Sequence, residues 1–186
     1  MGASPTTDSK FRRIYDAHFD AVNRYFLRRL SLVEVNDATA EVFLVAWKRI
    51  DRIPAGDDAL PWLYGVARNV ARNVTRSSRR SSRLLGRVGG LAWAQQPSPE
   101  AVIVRRHEDE ELLAALKSLS SGDQEVLRLR AYEGLSAPEI AVVLGIGPEA
   151  AKKRVARALS RLRRATTIPE SSASSQPRVI PEGGEQ

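Results

Sequence analysis

The sequence predicts an all-α fold: two small helical domains joined by a flexible linker, the C-terminal one containing a helix-turn-helix. Three observations predict it. Apolar residues recur at three- and four-residue steps across residues 10–80 and again across 108–164, the mark of helices with one buried face. Between these blocks Ser81, Ser82, Gly86, Gly89, Gly90, Pro97, Ser98 and Pro99 supply turn and linker chemistry. No segment alternates with the two-residue period of a strand over a useful length, and no internal repeat is present.

The elements follow in order. Residues 1–9 are polar and are expected to be disordered. Phe11, Ile14, Tyr15, His18, Val22 and Tyr25 form the stripe of a first helix. His18 lies on that stripe and reads as a packed or hydrogen-bonded core histidine. A second helix is expected from Val33 to Arg52, stopping before Pro54 and Gly56, with Phe43 and Trp47 toward the core. Asp57 and Asp58 offer caps, and Pro61 suits a first turn, where its missing N–H costs nothing. The third helix carries Leu63, Val66, Ala67, Val70 and Val74. These three make a domain over 10–80. A linker is expected over 81–107, and its Leu84, Leu85, Leu91 and Trp93 give it side chains with which to dock.

A second domain is expected over 108–165. Leu112, Leu113, Leu116 and Leu119 open it, and Ser120 or Ser121 caps the next helix, which carries Val126, Leu127, Leu129 and Tyr132 and ends at Gly134. Ser136-Ala137-Pro138-Glu139 is a capping box with proline in the first turn. A short apolar helix with Ile140, Ala141, Val143 and Leu144 follows, and Gly145 is placed as its C-terminal cap. Pro148 opens the last helix, with Ala151, Val155, Ala158, Leu159 and Leu162 toward the core. The Ser-, Pro- and Gly-rich stretch 166–186 has too little apolar surface to offset its ordering entropy and is expected to be a disordered tail.

Composition narrows the function. The 186 residues carry a formal net charge of +7, which favours a polyanionic partner. No stretch approaches the roughly 18–20 apolar residues that span a bilayer, and residues 1–10 lack the apolar core of a signal peptide. The absence of cysteine removes disulfides and thiolate metal sites, so a cytoplasmic protein is expected. The two histidines, His18 and His107, form no nucleophile–base pair, and no phosphate loop or metal spacing occurs. No catalytic residue, metal, cofactor or small-molecule substrate is therefore expected.

The placement of charge says more than its total. Residues 68–87 hold seven arginines and no acid, residues 152–164 hold seven basic residues and no acid, and Glu108 to Glu111 between them is acidic. Two separate anion-binding surfaces follow. In the helix-turn-helix, the second helix fits a major groove, where Glu149, Ala150, Lys152 and Lys153 would reach base edges. Arg154, Arg157, Arg161 and Arg164 would pair with phosphates. The bland alternative is a solvated basic face on an ordinary helical hairpin. In the third helix Arg68, Arg72, Arg76 and Arg80 stand four residues apart, a spacing at which like charges repel unless a phosphate backbone lies beside them. Trp62, Asn69 and Asn73 share that helix and can stack on and hydrogen-bond unpaired bases, although Trp62 also fits a core position. On the second helix Asp37, Glu41, Leu44 and Lys48 fall on one face. Two acids one turn apart in a basic chain suit a cationic protein partner, or are an ordinary exposed pair.

Asp37-Ala38-Thr39-Ala40-Glu41-Val42-Phe43-Leu44-Val45-Ala46-Trp47, then Pro61-Trp62-Leu63-Tyr64-Gly65-Val66-Ala67-Arg68-Asn69, then a linker and a helix-turn-helix, resemble the bacterial sigma factors of the extracytoplasmic-function (ECF) group. The resemblance spans about Phe11 to Arg164. It departs from the family at Asn36-Asp37, where Glu-Asp is common, at Ala40, where glutamine is frequent, and at Ala150-Ala151, where Thr-Val is common. It implies that the N-terminal domain binds core RNA polymerase and the minus-ten promoter element, and that the C-terminal domain binds the minus-thirty-five element. By motif match, Asp37 and Glu41 would contact the polymerase clamp helices. Trp62, Asn69 and the arginines from Arg68 to Arg80 would meet minus-ten DNA, and Glu149 to Arg157 minus-thirty-five DNA. An anti-sigma factor is the implied regulator. Two other classes compete. A one-component repressor or activator would dimerise on paired half-sites, whereas a sigma factor is expected to be a monomer when free. A peripheral membrane protein would need a large apolar face opposite its basic one, and these helices carry modest ones.

Overall fold

The structure, a computed structural model, describes residues 5–85 and 108–166. The described residues form seven α-helices and two 3₁₀ turns and no strand. Most of the expected linker and tail lies outside the described residues, as do His107 and residues 1–4.

Helix α1 runs Pro5–Leu27, so the expectation of disorder over residues 1–9 is corrected for 5–9. Pro5 occupies a first turn, where no N–H is missed, Asp8 complements the positive end of the helix, and Lys10 Nζ donates to the Ile50 carbonyl at 2.8 Å. Helix α2, Leu32–Lys48, opens on a capping box in which the Ser31 N–H donates to Glu34 at 3.1 Å. The single helix expected to Arg52 is split instead. Arg49 leaves helical geometry, and a 3₁₀ turn over Ile50–Arg52 brings Ile50 and then Ile53 into the core. A second 3₁₀ turn, Gly56–Asp58, starts on Gly56 at φ 67° and leads into α3, Ala59–Leu85. Helix α3 overruns the expected linker boundary at residue 81, because serine and arginine do not break helices and the first glycine in this stretch is Gly86.

In the C-terminal half, α4 spans Glu108–Ser118 and α5 spans Ser121–Ala131, capped by Ser120, whose hydroxyl accepts from the Asp123 N–H at 3.2 Å. Helix α6, Ala137–Leu144, has the expected capping box: the Ser136 N–H donates to Glu139 at 2.7 Å. It ends on left-handed Gly145 (φ 64°), where the Ile146 N–H returns to the Ala141 carbonyl at 3.1 Å, a Schellman closure. Helix α7 runs Pro148–Thr166, so the tail begins one residue later than expected. Its Thr166 hydroxyl donates to the Arg163 carbonyl at 3.0 Å.

Helices α1, α2 and α3 pack on one another, α6 packs on both α3 and α7, and α4 and α5 pack on α7. The core does not divide at the linker. Leu129, Leu135, Ile140, Ala141, Val143 and Ala151 join Val22, Tyr25, Phe26, Leu63 and Ala67 in one buried cluster. A second small cluster, Val126, Leu127 and Ala158, seals α5 against α7. At Gly65 an added Cβ would lie 3.6 Å from the Val143 carbonyl oxygen, in ordinary contact, so the α6 backbone seats directly over this position of α3 and atoms beyond Cβ would have to pass it. Leu159 is 37% exposed, and Leu112 and Leu113 are also exposed; over residues 112–118 of α4, Ala115 is the buried one. The expected core placement of Leu159 is corrected accordingly: Ala158, one residue earlier, takes the inward direction.

Candidate nucleic-acid interface

The α3 surface is built by helical geometry alone. Asn69, Arg72, Asn73, Arg76 and Arg80 are exposed, while Leu63, Ala67, Val70 and Ala71 on the other side of the helix are buried. Arg68 is half-buried at the inner end of the ladder. Arg68, Arg72, Arg76 and Arg80 form no ion pair among the described residues, so their charge is uncompensated along the helix. Trp62 is half-buried against the core, a placement between the core and base-stacking roles that its sequence position allows. The Ser78 hydroxyl donates to Glu34 at 2.8 Å, tying the basic helix to the start of α2. Burial alone would raise the Glu34 carboxyl, but hydrogen bonds from Ser31 and Ser78 outweigh it and hold the group below its ordinary range.

On α7, Glu149, Ala150, Lys152, Lys153, Arg157 and Arg164 are exposed, and Ala151 and Ala158 are buried. Arg161 is exposed as well, but it and Arg154 also make contacts back toward α5. Arg161 reaches back to α5, where its Nη1 lies 2.5 Å from Asp123 Oδ2. Arg154 is half-buried, and its guanidinium fills the space where a side chain on Gly122 would stand. Asp123 also accepts from the Ser120 hydroxyl at 2.9 Å. Burial pushes its carboxyl upward, but the Arg161 and Ser120 hydrogen bonds prevail and hold it below the usual range. Glu139 is likewise held low by its hydrogen bonds to Ser136.

A third surface lies on α2. Asp37, Glu41, Leu44 and Lys48 are all exposed along one face, and Leu44 is 51% exposed. Beside this stripe Phe11, Tyr15, Phe19, Phe43 and Trp47 line an open aromatic groove of about 520 Å³ between α1 and α2. Phe43 is buried as expected, but Trp47 is only half-buried and lines the groove, with Phe11 packed on it edge to face at 5.0 Å. His18 is half-buried, and burial lowers its pKa, which favours the neutral ring.

Sequence reasoning missed one cluster altogether. At the end of α1, Arg28 Nη1 meets Glu133 at 2.8 Å, Arg29 meets Glu133 at 2.9 Å and Glu125 at 3.4 Å, and the Tyr25 hydroxyl donates to Glu125 at 3.0 Å. The Arg29 guanidinium lies 3.6 Å over the Tyr25 ring. Burial pushes the Tyr25 phenol far up, and that of Tyr64 to about 12, so both stay protonated. Nothing in the local pattern of either segment marks these partners, which are separated by about a hundred positions.

Comparison with known proteins fits this arrangement. Residues 14–81 match the family described as Sigma-70 region 2, and residues 109–162 match Sigma-70, region 4. The chain is 31% identical over 137 residues to the RNA polymerase sigma factor CnrH of Cupriavidus metallidurans, covering 69% of this chain and 71% of that one. It is 35% identical over 157 residues to the ECF RNA polymerase sigma factor BldN of Streptomyces coelicolor, covering 82% of this chain and 60% of that one. The fold is shared with the Bartonella quintana sigma factor RpoE, solved with the anti-sigma factor NepR (TM-score 0.59, 21% identity, 86% of this chain and 98% of that one). It is also shared with CnrH solved with the cytosolic domain of CnrY (TM-score 0.55, 24% identity, 83% and 85%). An all-α chain with two cationic helices, one in each matched region, is a transcription-initiation protein of the sigma class. More closely, the chain belongs to the ECF group of RNA polymerase sigma factors.

Proposed function

We propose that this protein docks on core RNA polymerase through the outer face of α2, using Asp37, Glu41, Leu44 and Lys48. It meets the minus-ten element through Trp62, Arg68, Asn69, Arg72, Asn73, Arg76 and Arg80 of α3, and the minus-thirty-five element through α7. On α7, Glu149, Ala150, Lys152 and Lys153 read bases, and Arg157 holds phosphate. Arg154 and Arg161 divide their hydrogen-bonding capacity between DNA and the α5 start. The observation that carries this reading is the pair of exposed cationic helix faces, on α3 and α7, each inside a separate sigma-region match. Phosphate contacts supply affinity and register, and base edges supply choice.

In this reading the protein is a cytoplasmic monomer when free. No helix among the described residues is long and apolar enough to cross a membrane. It carries no catalytic group of its own, and RNA synthesis belongs to the polymerase. An anti-sigma factor restrains it, as the solved complexes of RpoE with NepR and of CnrH with CnrY suggest. Run-off transcription with purified bacterial core polymerase and a pool of promoter-bearing fragments tests the proposal. Discrete transcripts that require this protein are expected. Sequence-specific DNA binding without polymerase, and no such transcripts, would replace it with a one-component regulator.

A further inference from the structure

The aromatic groove between α1 and α2 plays no part in the promoter reading proposed above. Its rings do not close into a solid core. Tyr15 is 37% exposed, and Phe11, Phe19 and Trp47 are half-buried. Phe11 stands edge-on to Trp47 at 5.0 Å and 87°, and Tyr15 is tilted by 58° against Phe43 at 4.7 Å. Rings set at such different angles leave faces and edges open to a guest. Five aromatic side chains gathered at one opening are a contiguous apolar surface, which marks a binding site as scattered exposed residues do not. The volume, about 520 Å³, falls within the roughly 300–1,000 Å³ of small-molecule sites.

The charge around the groove is the reverse of the chain's. Where the groove continues along α1, Asp8 and Asp16 join Phe11, Tyr15 and Trp47 in its wall, with Arg12 between them. On α2, Asp37 and Glu41 stand exposed on either side of Ala40, which lines it. None of these four acids forms an ion pair among the described residues. In a chain of formal net charge +7, this is a local preference for cations. Aromatic faces carry partial negative charge and attract a cation, and carboxylates at the rim strengthen the pull. Thr39 adds a polar contact. It lines the groove but is 2% exposed, and its Oγ1 finds no hydrogen-bond partner among the described residues. A buried hydroxyl without a partner carries a desolvation cost that a ligand N–H reaching it would relieve.

We propose that this groove is a binding site for a small aromatic molecule carrying a protonated amine, its ring seated among Phe11, Tyr15 and Trp47 and its ammonium held at the rim by Asp8 and Asp16. Leu44 belongs both to the groove and to the stripe assigned to core polymerase, so an occupied groove should weaken docking. That consequence rests on the polymerase-docking reading; the site itself does not.

The test uses the full chain, with its backbone amide and indole N–H signals followed by NMR. The probe is naphthylmethylamine, protonated at neutral pH. Naphthylmethanol and naphthoate serve as neutral and anionic controls with the same ring. The amine should move signals around Phe11, Tyr15 and Trp47. Its dissociation constant should lie about tenfold or more below that of the alcohol, and the carboxylate should bind most weakly. Asp8→Asn combined with Asp16→Asn, both at exposed positions outside the core, should remove most of the amine's advantage and leave the alcohol's affinity as it was. Equal affinity for amine and alcohol, a tighter carboxylate, or an advantage that survives both substitutions overturns the proposal. No movement at the groove with any of the three compounds overturns it too, and leaves the groove to the side chains of a protein partner. Core polymerase affinity, measured with and without saturating amine, reads the coupling separately. A lowered affinity is expected, and an unchanged one overturns the coupling. Groove signals that move as expected, with no polymerase binding in either condition, support the site and remove the docking reading.

Discussion

Asp123→Asn tests how α7 is held in place. The substitution keeps shape and retains the Ser120 cap, whose hydroxyl accepts from the backbone N–H of residue 123. What is lost is the charge-assisted bond to Arg161, at 2.5 Å. A hydrogen bond to a charged group contributes about 1.5–3 kcal/mol when both partners are buried. Asp123 is 8% exposed at its side chain, but Arg161 is 56% exposed and regains water when released. The loss is therefore discounted to about 1 kcal/mol, between that range and the surface ion-pair value. For a chain of this size it corresponds to a fall in melting temperature of about 2–4 °C. The pH dependence has a definite sign. The carboxyl is held below its unfolded value, so its stabilisation is complete above that value, about pH 4, and is lost as pH falls through the lower folded one. Urea titrations of parent and variant at pH 6 and near pH 2 provide the assay. The expected result is a gap of about 1 kcal/mol at pH 6 that closes in acid. A gap that is absent at pH 6, or persists at pH 2, refutes the ion pair as the cause.

Three further outcomes are expected. Reversing both acids with Asp37→Lys and Glu41→Lys weakens core polymerase binding about tenfold or more, measured by competition, while promoter-fragment binding at matched salt does not weaken. Arg157→Gln flattens the slope of log affinity against log salt by up to about 0.9 for a phosphate that is no longer neutralised; a slope equal to the parent's means that Arg157 meets no phosphate. Ser136→Ala removes the cap at the helix-turn-helix and lowers stability by about 1 kcal/mol in urea titration; no change would mean that Glu139 alone secures the turn.

The helix-turn-helix was legible because each of its signals is local. Ser136, Glu139 and Gly145 act within one or two turns of where they stand, and the structure uses all three as expected. The exposed faces of α2 and α3 were legible for the same reason, since a helix places residues four apart on one side whatever surrounds it. Helix ends were less so. The break at Arg49 follows from the need to bury Ile50 and Ile53, which is a tertiary demand, and Pro5 begins a helix that polar composition alone did not suggest. The pairing of Arg29 with Glu133 was not legible at all. A surface-type arginine and a surface-type glutamate look solvated until the fold brings α1 and α5 together. Arg161 is a related case: it stays exposed, as read, but pairs with an acid on another helix that its own segment does not announce.

The shared core across the linker has an evolutionary meaning. Because Ile140, Val143 and Ala151 are buried among residues of α1 and α3, the two helical halves cannot drift apart in sequence as freely as beads on a string. A change at Gly65 or Arg29 must be answered from the other half. A chimera that borrows its C-terminal region from a relative inherits a foreign mating surface along with a new DNA preference. If α7 reads DNA as proposed, retargeting this protein means transplanting α7 onto the native α5–α6 frame, with Glu125, Glu133 and Val143 left in place.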